Sequence, residues 1–268
     1  MSLKKRLPTA FILIVAVYLA VEFLPPIGFF LALQLVIFIS LFEFYNLVLK
    51  KKFLPQKIIG FVFALFFAFS FYFEQINILI VIFFFLLFLS IYYLIWTNSE
   101  DKLNIFPSSY ALTFFGVFFV SFTLNYLFII HRKSPELILF LLTVVYVGDT
   151  GAYMFGKLWG KRKMVPLASP NKTWEGAVGG VIFGVLGAII GRAFFLNKIS
   201  LLQAIICSLF ISLIAQLSDP VESLFKRAVK VKDSSSILPG HGGMLDRIDS
   251  LILSAPFFYY YIHFIWKF

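Results

Sequence analysis

Cysteine occurs once, at Cys207, so the chain can form no disulfide with itself and no cysteine-based zinc site. Histidine is nearly as scarce: His131, His241 and His263 fall in different predicted regions and offer no clustered metal ligands. Charge is scarce too. Only 13% of the 268 residues are Asp, Glu, Lys or Arg, too few to cover a water-soluble domain. No internal repeat or low-complexity linker divides the chain. What is present is apolar: 61% hydrophobic residues, 37 of them phenylalanines, and a mean hydropathy of +0.95. This is the composition of a polytopic membrane protein, built of helices.

Apolar runs close to the roughly 20 residues that span a bilayer lie near 8–24, 27–48, 58–73, 77–96, 107–130, 136–157, 174–195, 200–218 and 249–266. The fold class expected is therefore all-α, with about nine transmembrane helices. Lys4, Lys5 and Arg6 ahead of the first run resemble the start of a signal peptide, but that run ends in Leu24-Pro25-Pro26 without a small-residue cleavage site, so it is expected to be a retained span.

Basic residues outnumber acidic ones, 23 to 13, a surplus that in a soluble protein would suggest nucleic acid. Their distribution gives another reason, and no nucleic-acid partner is expected. With the N-terminus in the cytoplasm, Lys4 to Arg6, Lys50 to Lys52, Lys57, Lys102, the segment Lys157 to Lys172 and the segment Lys226 to Arg247 share one side, while the other keeps Arg132, Lys133, Arg192, Lys198 and Lys267. This is the positive-inside pattern. It puts the polar loops 157–173 and 219–249 in the cytoplasm of a multi-pass protein of the inner (plasma) membrane.

Residues 1–140 read as transmembrane helices for packing and contact with lipid tails; Glu22, Glu43 and Glu74 sit near predicted span ends and suggest no chemistry. Residues 141–268 hold the polar groups. Asp149, in Val147-Gly-Asp-Thr-Gly-Ala-Tyr153, lies inside the sixth run, where a carboxylate costs at least ~2.5 kcal/mol on insertion scales and needs a partner or a wet cavity. A buried helix–helix hydrogen bond would meet that need as well as a functional role. Ser169-Pro-Asn-Lys-Thr-Trp-Glu-Gly176 places Asn171, Lys172 and Thr173 at the start of the seventh helix, where free N–H groups and the dipole favour an anion. Simple capping by Thr173 or Asn171 is the alternative. The glycosylation sequon at Asn171 is discounted because its loop is expected in the cytoplasm. Gly180, Gly184, Gly187 and Gly191 line one helix face for packing, within the subunit or across a homodimer.

Asp219-Pro220-Val221-Glu222 has the form of a helix start, with Asp219 as N-cap and Glu222 closing a capping box. Beyond it, Asp219, Glu222 or Ser223, and Lys226 recur at three- to four-residue spacing and share a face. Asp246 and Asp249 open the ninth run at i and i+3 and, with Asp219 at the same level, form a candidate hard-cation site; capping by Asp246 is the rival. The glycines around His241 could expose N–H groups as a phosphate nest. His241 itself reads as a ligand hydrogen-bonder more than as a base.

The spacing S-x-x-K-R-x-x-x-x-K-D-x-x-x-x-x-P-G-H-G-G-x-x-D-R-x-D over Ser223–Asp249 resembles the signature of phosphatidate cytidylyltransferases (CDP-diacylglycerol synthases), and Gly156–Gly176 resembles a second block of that family. The resemblance covers 146–250; the first half matches only in hydropathy. It implies that CTP and phosphatidic acid give CDP-diacylglycerol and pyrophosphate within a membrane of lipids. It further implies that Asp219 and Asp246 bind Mg²⁺, with K⁺ a candidate second cation beside it. Asp219, Asp246, Asp249, Lys226 and Arg227 are then the expected catalytic set. Asp149, Ser169, Asn171, Lys172, Thr173, Glu175, Ser223, Lys232, Asp233, His241, Gly242, Gly243 and Arg247 are the expected substrate-binding set. Direct attack of the phosphatidate phosphate on the α-phosphorus is expected, since a phosphate monoester is already largely a dianion at neutral pH. Two alternatives stand beside this reading: a CTP-dependent kinase of a polyprenol-type alcohol, and an ion-coupled transporter using Asp149, Asp219 and Asp246, against which the lack of an inverted repeat weighs.

The charge bias is testable by labelling. With Cys207 removed, cysteines at Ser169 and Ser235 are expected to react with membrane-impermeant thiol reagents in inverted vesicles but not in intact cells; labelling in intact cells would overturn the orientation.

Overall fold

A bilayer offers no water to satisfy backbone N–H and C=O groups, so long Phe/Leu/Ile runs have one stable outcome, the internally hydrogen-bonded helix. A computed structural model describes residues 3–49, 54–73, 75–238, 240 and 242–267, with side chains from Phe11 onward. It contains α1 (Leu3–Phe23), α2 (Pro26–Val48), α3 (Leu54–Tyr72), α4 (Ile78–Trp96) and α5 (Glu100–Gly116). A π-helical turn, Val117–Phe122, follows, then α6 (Tyr126–Lys133), α7 (Pro135–Trp159), α8 (Trp174–Phe194), α9 (Leu201–Ala228) and α10 (Leu245–Tyr261), which ends in a second π turn, Ile262–Trp266. Among the described residues, eight helical rods, counting 100–133 as one, are long and apolar enough to cross a membrane, and Phe11–Phe23 is a shorter apolar helix. Each of the nine predicted runs falls on one of these rods.

Two local expectations are corrected. Asn171 and Lys172 do not open a helix: they lie in a short strand, β2 (Ser169–Thr173), paired antiparallel with β1 (Lys163–Val165). Thr173 is the N-cap of α8, its hydroxyl accepting the Gly176 N–H at 3.1 Å. Nor does a helix begin at Asp219. α9 runs unbroken through Pro220 to Ala228, and the site described below supplies the reason.

The N-terminal rods pack through aromatic side chains. Tyr45 is fully buried, donates to the Thr113 carbonyl at 2.7 Å, and occupies space that any side chain at Gly60 or Gly116 would need. Gln34 on α2 donates to Asn125 at 2.8 Å, pairing two buried amides across the bundle. In the second half the glycines decide the geometry. A Cβ at Gly187 would lie 2.8 Å from the Thr143 carbonyl, one at Gly176 2.9 Å from the Ala152 carbonyl, and one at Gly184 would collide with the Ser212 hydroxyl. The stripe thus lets α8 close on α7 and α9 within the subunit, which fixes the carboxylate-bearing turns of α7 and α9 beside the β2–α8 corner.

Gly151 tests this packing, because a Cβ there would collide with Phe183 and approach the Gly179 carbonyl to 2.8 Å. Gly151→Leu is expected to cost about 1–3 kcal/mol through overpacking and to lower the melting temperature of the purified protein by several degrees. Leu94→Ala, at a position 80% exposed, is expected to leave it unchanged. Equal melting of the Gly151 variant and its parent would show that the α7–α8 contact is looser than described.

Candidate active site

Proline inside a helix removes one N–H and leaves the carbonyl four residues earlier without its donor. At Pro220 that carbonyl belongs to Gln216, and it accepts the Lys172 ammonium at 3.4 Å. The same ammonium lies 2.9 Å from Asp219 Oδ2, and Ser223 donates to Asp219 Oδ1 at 3.2 Å. A helix-breaking residue therefore sits comfortably in α9 because β2 supplies the missing donor. Lys172 and Asp219 remain open to the surroundings, their side chains 26% and 29% exposed.

About two turns further along α9, Lys226 is buried between two carboxylates. It pairs with Glu222 on its own helix and with Asp246 Oδ1 of α10 at 2.6 Å. Glu222 Oε2 faces the Lys226 ammonium, while Glu222 Oε1 has no hydrogen-bond partner although the side chain is only 1% exposed. Asp246 is fully engaged: its Oδ2 accepts the Ser234 N–H at 2.9 Å, the Ser234 hydroxyl at 3.0 Å and the Gly243 N–H at 2.8 Å. Asp246 does not cap α10.

On α7, Asp149 accepts the Ser250 hydroxyl at 3.1 Å and lines a narrow cleft with Gly148, Gly180, Ser212 and Gln216. Asp249 accepts the Ser250 N–H at 2.7 Å, while its backbone carbonyl takes the Ser218 hydroxyl of α9. Asp249 lies within electrostatic reach of Asp149, Asp219 and Glu222, and Asp149 within reach of Asp219. Among the described residues no salt bridge reaches Asp149 or Asp249. The structure thus gathers Asp149, Asp219, Glu222, Asp246 and Asp249 around two ammonium groups, Lys172 and Lys226.

Other expected site residues are placed elsewhere or committed to internal contacts. Arg227 donates to the Ala168 and Val231 carbonyls, bracing two loops. Glu175 accepts the Lys161 and Arg162 N–H groups and so secures the turn before β1. Arg247 is exposed, as are Asn171, Lys232 and Asp233, and Ser169 pairs with Val165 at the hairpin's closed end. Gly243 spends its N–H on Asp246, and the Gly242 carbonyl accepts the Leu238 N–H, so these two glycines close the loop on itself more than they form an open nest. His241 lies outside the described residues.

The residue that sequence reasoning passed over is Glu43. It lies in α2, 1% exposed, and accepts four hydrogen bonds from the segment before and at the start of α10. Ser235 and Met244 donate to Oε1 at 2.6 and 3.0 Å; Ser234 and Leu245 donate to Oε2 at 3.0 and 2.8 Å. The argument that singled out Asp149, a carboxylate within an apolar run, applied equally to Leu41-Phe-Glu-Phe-Tyr45. Its nearness to a span end concealed it.

Among the described residues, no three His, Cys, Asp or Glu side chains converge tightly enough to hold an ion unaided. The donor set is nonetheless of the kind a hard cation takes. All of it is carboxylate oxygen, carboxylates outnumber ammonium groups, and Glu222 keeps Oε1 without a hydrogen-bond donor. Mg²⁺ characteristically needs only one or two protein carboxylates, with water and substrate phosphates completing its shell.

The sequence profile of the Cytidylyltransferase family matches residues 4–265. The chain is 40% identical over 158 residues to a protein named phosphatidate cytidylyltransferase from Staphylococcus saprophyticus, covering 59% of this chain and 60% of that one. Proteins of the same name are 44% identical over 133 residues in Haemophilus influenzae (48% and 46% covered) and 46% identical over 117 residues in Bacillus subtilis (44% of each). The aligned part of the chain spans about three fifths or less of these relatives' own length.

Proposed function

Because the chain belongs to the cytidylyltransferase family, we propose that it condenses CTP with phosphatidic acid to give CDP-diacylglycerol and pyrophosphate. The observation that carries this reading is the cluster around Lys172 and Lys226, in which carboxylates and ammonium groups are held together at the ends of apolar helices. Both substrates are polyanions. A site that joins them must neutralise charge, and it must do so where a lipid can arrive from the bilayer and a nucleotide from water. The basic bias of the loops supports a cytoplasmic site in the plasma membrane.

In the proposed reaction an oxygen of the phosphatidate phosphate forms a bond to the α-phosphorus of CTP, and the bond from that phosphorus to the β-bridging oxygen breaks to release pyrophosphate. The attacking phosphate is largely dianionic at neutral pH, so no side chain need remove a proton. Lys172 is placed to take a phosphate oxygen, since it is partly exposed, fixed on the Gln216 carbonyl and adjacent to the capped start of α8. Lys226 holds Glu222 and Asp246 in place and balances their charge. Asp219 and Asp246 would hold Mg²⁺, which when bound neutralises the phosphates and stabilises charge on the departing pyrophosphate; K⁺ beside it belongs to the same proposal. Asp246 would then exchange part of its contact with Lys226 for the cation.

Labelled CTP tests this directly. With phosphatidate and Mg²⁺, label at the α-phosphate is expected in the lipid and label at the γ-phosphate in pyrophosphate. Asp219→Asn and Asp246→Asn are each expected to reduce lipid labelling to background while extracting and melting like the parent. Lipid labelled from the γ-phosphate would identify a kinase instead, and near-normal rates in either variant would refute the metal assignment.

A further inference from the structure

We infer that Glu43 is a positioning residue for the active site: it holds Ser234, Ser235 and the Met244–Leu245 start of α10 so that Asp246 is presented to Lys226. This rests on the reaction proposed above for its kinetic consequence, but the contacts stand by themselves. All four donors to Glu43 belong to these residues, about 190 to 200 residues away in sequence, and they occupy both carboxylate oxygens twice over. Two of them, the Met244 and Leu245 N–H groups, are at the N-terminus of α10, where helical amides have no partner of their own. Among the described residues Glu43 has no ion-pair partner, so its charge is held by hydrogen bonds and by the dipole of α10.

The link to Asp246 is direct. The Ser234 hydroxyl lies 3.0 Å from both Glu43 Oε2 and Asp246 Oδ2, and the N–H of the same serine donates to Asp246 at 2.9 Å. Gly243 fits between them only because it has no side chain: a Cβ there would strike the Ser234 hydroxyl and sit 2.5 Å from Glu43 Oε2. Ser234, Gly243 and Asp246 are thereby stacked on Glu43, which the aromatic packing of Phe44 against Phe115 and Phe225 fixes to the rest of the bundle. The N-terminal helices, which carry none of the reacting groups, therefore contribute the support on which the loop closes.

Glutamine at this position keeps the shape but not the acceptors. Whichever way its amide is turned, NH₂ replaces one oxygen and confronts a backbone N–H, so one start-of-helix amide loses its acceptor. In the full chain, Glu43→Gln is expected to accelerate hydrogen exchange at Met244 or Leu245 at least tenfold, with exchange in α3 and α4 unchanged. It should lower kcat at least tenfold while KM for CTP and for phosphatidate moves less than threefold. Ser235→Ala, which deletes one donor without altering helix packing, should show the same pattern at smaller amplitude and carries the test should Glu43→Gln not fold. Unchanged exchange at Met244 and Leu245 would overturn the anchor, and faster exchange with unchanged kcat would overturn its positioning role. A parent protein without cytidylyl transfer would refute the proposed reaction, and the exchange measurement would still decide whether Glu43 holds the loop.

Discussion

The structure turns on one buried ammonium group. Lys226 is enclosed with Glu222 and Asp246, and each of the three would be untenable alone in so apolar a setting. Removing one partner of a buried pair typically costs about 3–5 kcal/mol, because it strands an uncompensated charge. The ammonium therefore dictates where α9 and α10 sit relative to each other, and with them the positions of Asp219 and Asp249.

From that pair the remaining geometry follows in steps. α9 must carry Asp219 one to two turns from Lys226 without interruption, so Pro220 is absorbed into the helix, and the carbonyl it frees becomes a fixed acceptor for Lys172. Lys172 reaches that carbonyl because β2 and the Thr173 cap place it at the α8 corner, and α8 holds its position because glycines let it close on α7. Apolar packing, a proline within a helix and three ion pairs thus form one arrangement. Lys172 and Asp219 are partly open, whereas Lys226 is sealed between its carboxylates.

Much of this was legible in the sequence, for reasons that separate cleanly. The nine apolar runs could be seen because hydrocarbon imposes length and composition on each helix independently of the others. Asp149 stood out because a carboxylate within an apolar run requires compensation, and Asp219 and Asp246 because their spacing resembles a family signature. What escaped detection depends on partners distant in the chain. Pro220 looked like a helix start by local rules, and only Lys172, nearly fifty residues away, makes it tolerable inside one. Arg227, expected in the catalytic set, and Glu175, expected in the substrate-binding set, also satisfy backbone groups of loops whose path no local pattern gives. Glu43 was dismissed as a span-end residue because its donors lie on the far side of the sequence.

The central proposal is that this carboxylate-rich cluster joins two bound substrates in a single displacement. The rival is a cytidylyl-enzyme, for which Ser223, buried and donating its hydroxyl to Asp219, would be the nucleophile. Exchange of labelled pyrophosphate into CTP, measured with rigorously delipidated protein, separates them. Direct displacement predicts no exchange until CDP-diacylglycerol is supplied to run the reaction backward; rapid exchange in the absence of lipid would reveal a covalent intermediate and contradict the account.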